Sequence, residues 1–158
     1  MTFFDDNSLS IGNTPLVRLN RVAPGGARVL AKVEGRNPGY SIKDRVAACM
    51  VAEAEKDGRL KPGMSLLEST SGNTGIGLAF VAAARGYKLT LVMQQGLSEE
   101  RVKVLKMLGA DLILTDPELG MQGAVDAAEA LEREQPGRYY YTRQFENSAN
   151  PLAHERKT

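Results

Sequence analysis

An α/β fold, with a parallel sheet covered by helices on both faces, is predicted by three features of the 158-residue sequence. Short apolar runs rich in Leu, Val and Tyr alternate with amphipathic stretches of helical length from Met64 onward. Gly or Pro punctuates most junctions between them. Successive strands are separated by a whole helix rather than a tight turn, as a parallel crossover requires. In such sheets ligands bind beyond the carboxyl ends of the strands.

The elements follow in order. Ile11-Gly-Asn-Thr-Pro-Leu-Val-Arg-Leu19 starts as a turn, because Pro15 bars a helix, and continues extended through Leu16, Val17 and Leu19. Pro24-Gly-Gly26 is a loop, and Arg28 to Val33 suits a strand, so the two runs are expected to pair as a hairpin-like unit. Asn37-Pro-Gly39 marks the next boundary. From Ser41, a candidate N-cap, Ile42, Val46, Cys49/Met50 and Ala54 recur at the helical period, with Asp44, Arg45, Glu53, Glu55 and Lys56 on the other faces. Asp57-Gly58 and Pro62-Gly63 end that helix.

Met64 to Leu67 then reads as a strand, followed by the glycine- and hydroxyl-rich turn Glu68-Ser-Thr-Ser-Gly-Asn-Thr-Gly75 and a helix from about Thr74 to Arg85, stopped by Gly86. Tyr87 to Met93 is the next strand, and Ser98, Glu99 and Glu100 open a helix that ends near Gly109. Asp111 to Thr115, a helix from about Glu118 to Glu134, and Tyr139 to Thr142 complete the alternation. Beyond Phe145 the polar run Glu146-Asn-Ser-Ala-Asn-Pro151 leads into a further helix, expected to continue in a longer parent protein.

Composition excludes several classes. Twenty basic and nineteen acidic residues leave a charge of +1, which calls for neither nucleic acid nor an anionic membrane. The longest apolar run, Ile76 to Ala84, is too short for a membrane span, and the first residues lack the pattern of a secretory signal, so a cytoplasmic protein is expected. Cys49 and His154 are the only residues of their types, which excludes a disulfide framework and thiolate- or histidine-rich metal sites; no metal is expected. Cys49 reads as a buried inert thiol and His154 as a surface histidine. Glu99/Glu100 and Asp5/Asp6 read as a charged helix start and a solvated terminus rather than catalytic pairs.

Two stretches carry chemistry. The Glu68–Gly75 turn presents backbone N–H groups at a helix start, where orphan donors and the helix dipole together favour a carboxylate or phosphate, or else it is an ordinary hydroxyl-capped turn. Its spacing matches neither the dinucleotide fingerprint nor the P-loop. Pro38-Gly-Tyr-Ser-Ile-Lys-Asp-Arg45 sets Lys43 just after the candidate cap, where the dipole disfavours a cation. An anion-binding turn combined with such a lysine suits carbonyl chemistry through a Schiff base.

Asn37-Pro-Gly-Tyr-Ser-Ile-Lys-Asp-Arg45, Thr70-Ser-Gly-Asn-Thr-Gly75 and the opening Ile11-Gly-Asn-Thr-Pro-Leu16 together resemble the cysteine synthase (O-acetylserine sulfhydrylase) family, fold type II enzymes that use pyridoxal 5'-phosphate. The resemblance runs from about Asn7 to Thr158. It implies that Lys43 is the Schiff-base lysine and later the base for the substrate α-proton, and that Asn73 bonds the cofactor ring hydroxyl. It further implies that Thr70, Ser71, Gly72, Asn73 and Thr74, joined by Gln144, hold the substrate α-carboxylate. The implied reaction is a β-replacement, acetate leaving O-acetylserine and sulfide adding. Cystathionine β-synthase shares the motifs, and a non-catalytic peptide-binding module is the alternative of another class. Met93-Gln-Gln-Gly-Leu-Ser98 and Ser148 depart from the family pattern, which usually reads Met-Pro-x-x-Met-Ser at the first and proline at the second. By the resemblance, residues 1–37 are strands of a larger domain, 38–145 a small α/β domain, and 146–158 the start of the larger domain. The parts that hold the cofactor phosphate and pyridine nitrogen would lie in the missing half, so the isolated chain is expected to be inactive. A homodimer and a serine acetyltransferase C-terminal peptide are the implied partners.

Overall fold

The structure, a computed structural model, describes residues 3–22, 25–96 and 98–158. Pro24 of the predicted loop, Leu97 of the departing loop and the first two residues of the leader reading lie outside them. Strands β1 (Leu16–Arg18) and β2 (Leu30–Lys32) pair antiparallel, Val17 opposite Ala31, as the hairpin-like reading expects.

Helix α1 (Lys43–Lys56) leads to β3 (Ser65–Ser69), α2 (Asn73–Arg85), β4 (Leu89–Gln94), α3 (Glu99–Met107), β5 (Ala110–Thr115), α4 (Gly120–Glu134), β6 (Tyr139–Tyr141) and α5 (Ala149–Lys157). The four strands form one wholly parallel sheet in the order β5-β4-β3-β6. The chain steps outward from β3 to β5 and then returns to the other side of β3. Right-handed crossovers therefore put α2 and α3 on one face and α4 on the other. Alternating side chains fill both sides: Leu66, Leu89, Leu91 and Met93 pack with α1, α2 and α5, while Leu67, Val92, Tyr139 and Tyr141 pack with Ala124 and Ala128 of α4. Helices on both faces of a parallel sheet are what the alternation predicted.

Two readings need correction. Asp44 and Arg45, placed on the polar faces of α1, are buried beside Val46 and Met50, because each finds bonding partners described below. The strand after Met64 does not stop at Leu67 but runs to Ser69, and Glu68 within it has no solvent exposure. Elsewhere α2 begins at Asn73 rather than Thr74 and ends as expected at Gly86, whose left-handed φ of 77° lets its N–H close on the Ala82 carbonyl. Helix α5 packs on α1 through Ala149 and Ala153.

Candidate active site

The switch in strand order sets the carboxyl ends of β3 and β6 side by side, the position where doubly wound sheets bind ligands. The turn after β3 and the Thr142–Gln144 segment after β6 meet there through the Thr74 hydroxyl, which donates to Gln144 Oε1 at 2.7 Å. Gln144 is thus buried against the turn.

Within the turn each predicted residue has a distinct place. Thr70 is buried and its Oγ1 accepts the Gly72 N–H at 3.2 Å, closing the bend that starts α2. Gly72 is the N-cap and offers no side-chain cap, and Asn73, the first helical residue, is exposed. Among the described residues the N–H groups of Ser71, Asn73 and Thr74 donate to no protein group, so three donors at the positive end of α2 remain for an anion. Gly75 lets this helix start seat on the sheet, since a Cβ there would lie 3.1 Å from Thr70 Cγ2 and 3.3 Å from Leu91.

Lys43 opens α1. The N-cap is Ile42, one position later than the sequence suggested, yet the Ser41 hydroxyl still accepts the Lys43 N–H at 3.0 Å. The backbone of Lys43 lies against the first turns of α2: a Cβ on Gly77 would approach the Lys43 carbonyl oxygen to 3.0 Å and Ala47 Cβ to 3.2 Å. Two helix starts, one with the lysine and one with the free donors, are thereby packed together. Among the described residues no carboxylate pairs with Lys43.

The lysine segment is held from below. Asp44, fully buried, accepts the Gly39 N–H at 2.6 Å, and burial pushes its carboxyl above the usual range while that bond pulls it back. Arg45 grips Glu34 with two bonds, at 2.7 and 2.9 Å, and also donates to Thr14 Oγ1. Asn37 takes the Gly12 N–H at 2.9 Å and donates to the Ser41 carbonyl. The opening motif and the lysine motif are therefore one hydrogen-bonded unit.

Asn13, Tyr40 and Arg143 are the non-glycine residues in the left-handed region among those described, with φ of 48°, 60° and 47°. Asn13 and Tyr40 lie within the opening and lysine motifs, and Arg143 precedes Gln144. Such conformations cost on the order of 1–3 kcal/mol and persist where surrounding bonds enforce them, a pattern that clusters at functional sites.

Sequence reasoning gave no role to Glu68, Arg101 or Thr142. Arg101 of α3 donates to the Ser71 carbonyl at 2.8 Å and braces the turn. Glu68 accepts from Thr142 and Gln144 beneath it. The one visible signal was a carboxylate following Leu66 and Leu67 in a buried strand; nothing in the sequence marks Arg101. Cys49 is half-buried rather than buried, and burial raises its thiol above the ordinary value. His154 is likewise half-buried on α5, its Nδ1 3.1 Å from the Thr158 hydroxyl.

Comparisons with known proteins bear on the family and the fold. Residues 8–157 match the family described as pyridoxal-phosphate dependent enzyme. Cysteine synthase A of Escherichia coli K12 is 58% identical over 155 residues, covering 98% of this chain and 47% of its own. A crystal structure of O-ureido-L-serine synthase superposes with a TM-score of 0.93 at 45% identity, over 99% of this chain and 49% of that one. The cysteine synthase of Entamoeba histolytica gives 0.92 at 43%, over 97% and 47%. The chain spans about half the length of the curated relatives it matches. The donor set suits pyridoxal phosphate at its aldehyde end: an amine without an ion-pair partner among the described residues, an exposed Asn73 amide at the start of the helix packed against it, and free backbone donors that suit an anion.

Proposed function

We propose, from the premise that this chain belongs to the pyridoxal-phosphate-dependent enzyme family, that it is the N-terminal half of a cysteine synthase that replaces the acetate of O-acetylserine with sulfide. The observation that carries this reading is the packing of the Lys43 helix start against a second helix start with free N–H donors and the Thr74–Gln144 bond. Bound pyridoxal phosphate supplies a ring that accepts the electron pair left at the substrate α-carbon.

The chain's own residues do the rest. Lys43 Nζ holds the cofactor and takes the substrate α-proton. Asn73 bonds the ring hydroxyl. The substrate α-carboxylate is held by Thr70, Ser71, Gly72, Asn73 and Thr74 with Gln144, where charge-assisted bonds from N–H groups at a helix start are strongest. Two fixed ends leave the α-carbon one orientation toward Lys43, which is the main contribution of such a clamp. The same reading extends to a homodimer, a cytoplasmic location and a serine acetyltransferase C-terminal peptide on the turn, whose carboxylate would use the same donors. Among the described residues no helix is long and apolar enough to cross a membrane.

Borohydride reduction of the full-length protein with pyridoxal phosphate, followed by peptide mapping, tests the assignment. Label on Lys43 is expected, with Lys43→Ala unlabelled; label on another lysine with Lys43 unmodified would end it. Cysteine formation from O-acetylserine and sulfide, against turnover with homocysteine, separates this activity from cystathionine β-synthase. Chain 1–158 alone is expected to be inactive, because the sequence after Phe145 has no second glycine-rich anion loop for the cofactor phosphate.

A further inference from the structure

We infer that Glu68 is a positioning residue for the amino-acid carboxylate site, setting the orientation of the Gln144 amide and, through it, which hydrogens face a bound anion. This rests on the reading of the turn as a carboxylate site. Glu68 is wholly buried in β3, with Leu66 and Leu67 before it and Leu91 opposite it, and an apolar residue would serve packing alone. Among the described residues no cation pairs with it.

Four donors converge on it instead. Oε1 accepts the Ser69 N–H at 3.0 Å and Gln144 Nε2 at 3.4 Å. Oε2 accepts the Gln144 backbone N–H at 3.1 Å and the Thr142 hydroxyl. Burial raises this carboxyl above its ordinary value and outweighs the four contacts, each of which favours the anion. The ionised carboxylate only accepts, and in that form it fixes the Gln144 amide: Nε2 turns to Glu68 and Oε1 to Thr74. The Thr74 proton is then spent on Gln144 Oε1. The second Nε2 hydrogen has no partner among the described residues and joins the free N–H groups of the turn as a donor. The Thr74 hydroxyl thus holds Gln144 rather than the substrate, and Gln144 offers an anion its nitrogen rather than its oxygen.

In Glu68→Gln one acceptor becomes an NH2 that confronts the Gln144 N–H or Nε2, which releases the amide to turn over. The test is a double-mutant cycle on the full-length holoenzyme, titrated with L-alanine, which has the α-carboxylate and amine but no leaving group. Binding is read from the visible absorption of the cofactor. Glu68→Gln and Gln144→Ala are each expected to weaken L-alanine binding about tenfold, and the pair no more than the worse single variant, because Glu68 acts through Gln144. Additive losses, or a loss in Gln144→Ala with none in Glu68→Gln, would overturn the inference and leave the carboxylate site standing. Unchanged binding in both Ser71→Ala and Gln144→Ala would overturn the site and the inference together. If Glu68→Gln loses the visible band, Thr142→Val takes its place in the cycle, coupling to Gln144→Ala supporting the inference and additivity refuting it.

Discussion

Leu66, Leu67 and Leu91 in the parallel sheet are completely covered, whereas Leu16, Val17 and Leu30 in the β1–β2 ribbon are 60%, 47% and 44% exposed. The sheet is stabilised by apolar packing on both faces. The ribbon has no such core of its own among the described residues. Its tie to the rest of the chain is polar: Thr14 to Glu34 and Arg45, and Gly12 to Asn37. The same ties brace the backbone that carries Lys43, so one region is organised by burial and the other by a charge network that also orders the site.

The strongest way to break this contrast is Arg45→Ala. It leaves the Glu34 carboxylate, 15% exposed, without its cation, and breaking a buried pair by removing one partner costs roughly 3–5 kcal/mol. Hydrogen exchange should show β1–β2 and residues 34–42 losing protection while β3 and β4 keep theirs. Uniform loss across both regions would mean that the two are not separately stabilised.

Acid should act in the same direction, somewhat less. The Arg45 guanidinium beside Glu34, with Thr14 and Asn37 adding bonds, lowers its carboxyl from the usual 4.5 to about 2. A depressed folded pKa stabilises above the unfolded value and is lost as pH falls through the folded one. Holding the carboxyl at about 2 instead of 4.5 stabilises the fold by on the order of 3 kcal/mol, lost between about pH 4.5 and 2. Protonation leaves Arg45 bonded to Thr14, which is why the effect falls below that of the deletion. Ribbon protection should therefore fall in this window before the sheet unfolds, and an unchanged order in the Glu34→Gln variant would refute the cause.

Gly77→Ala tests the joint between the two helix starts. The added methyl would meet the Lys43 carbonyl at 3.0 Å, and overpacking of backbone costs about 1–3 kcal/mol. Its melting temperature should drop, and borohydride labelling of Lys43 in the full-length protein should slow. A variant with wild-type stability and labelling would show that the two starts do not need this contact.

The sheet was the legible part of the sequence because its signal is local: strand runs and helices alternate within one stretch of chain, and Gly86 stops α2 where the pattern ends. The lysine and the turn were legible as motifs for the same reason. Arg45 was misplaced because a charged residue on a helix reads as solvated unless its partner is known, and Glu34 and Thr14 lie 11 and 31 residues away in sequence; the partner of Asp44 is the Gly39 backbone N–H, which no side chain marks. Glu68 and Thr142 are 74 residues apart, and Arg101 and Ser71 are 30 apart, so spacing could not join them. The depth of Gln144 depends on the return of β6 to the far side of β3, which is a property of topology rather than of residues near Gln144.

The smallest expected effect sharpens the comparison most. Leu16→Ser removes an apolar side chain that is already 60% exposed, from a strand whose ladder bonds to Lys32 are made by backbone and survive the change. In the 158-residue chain the loss should stay within about 0.5 kcal/mol, as for surface substitutions generally. The full-length protein should respond differently if the ribbon belongs to a larger domain, because a leucine covered there forfeits roughly 2–5 kcal/mol when truncated. Denaturant unfolding of Leu16→Ser in both lengths, each against its own wild type, measures the difference. Equal and negligible losses in both would mean that the ribbon stays exposed and that the domain division at residue 37 is wrong.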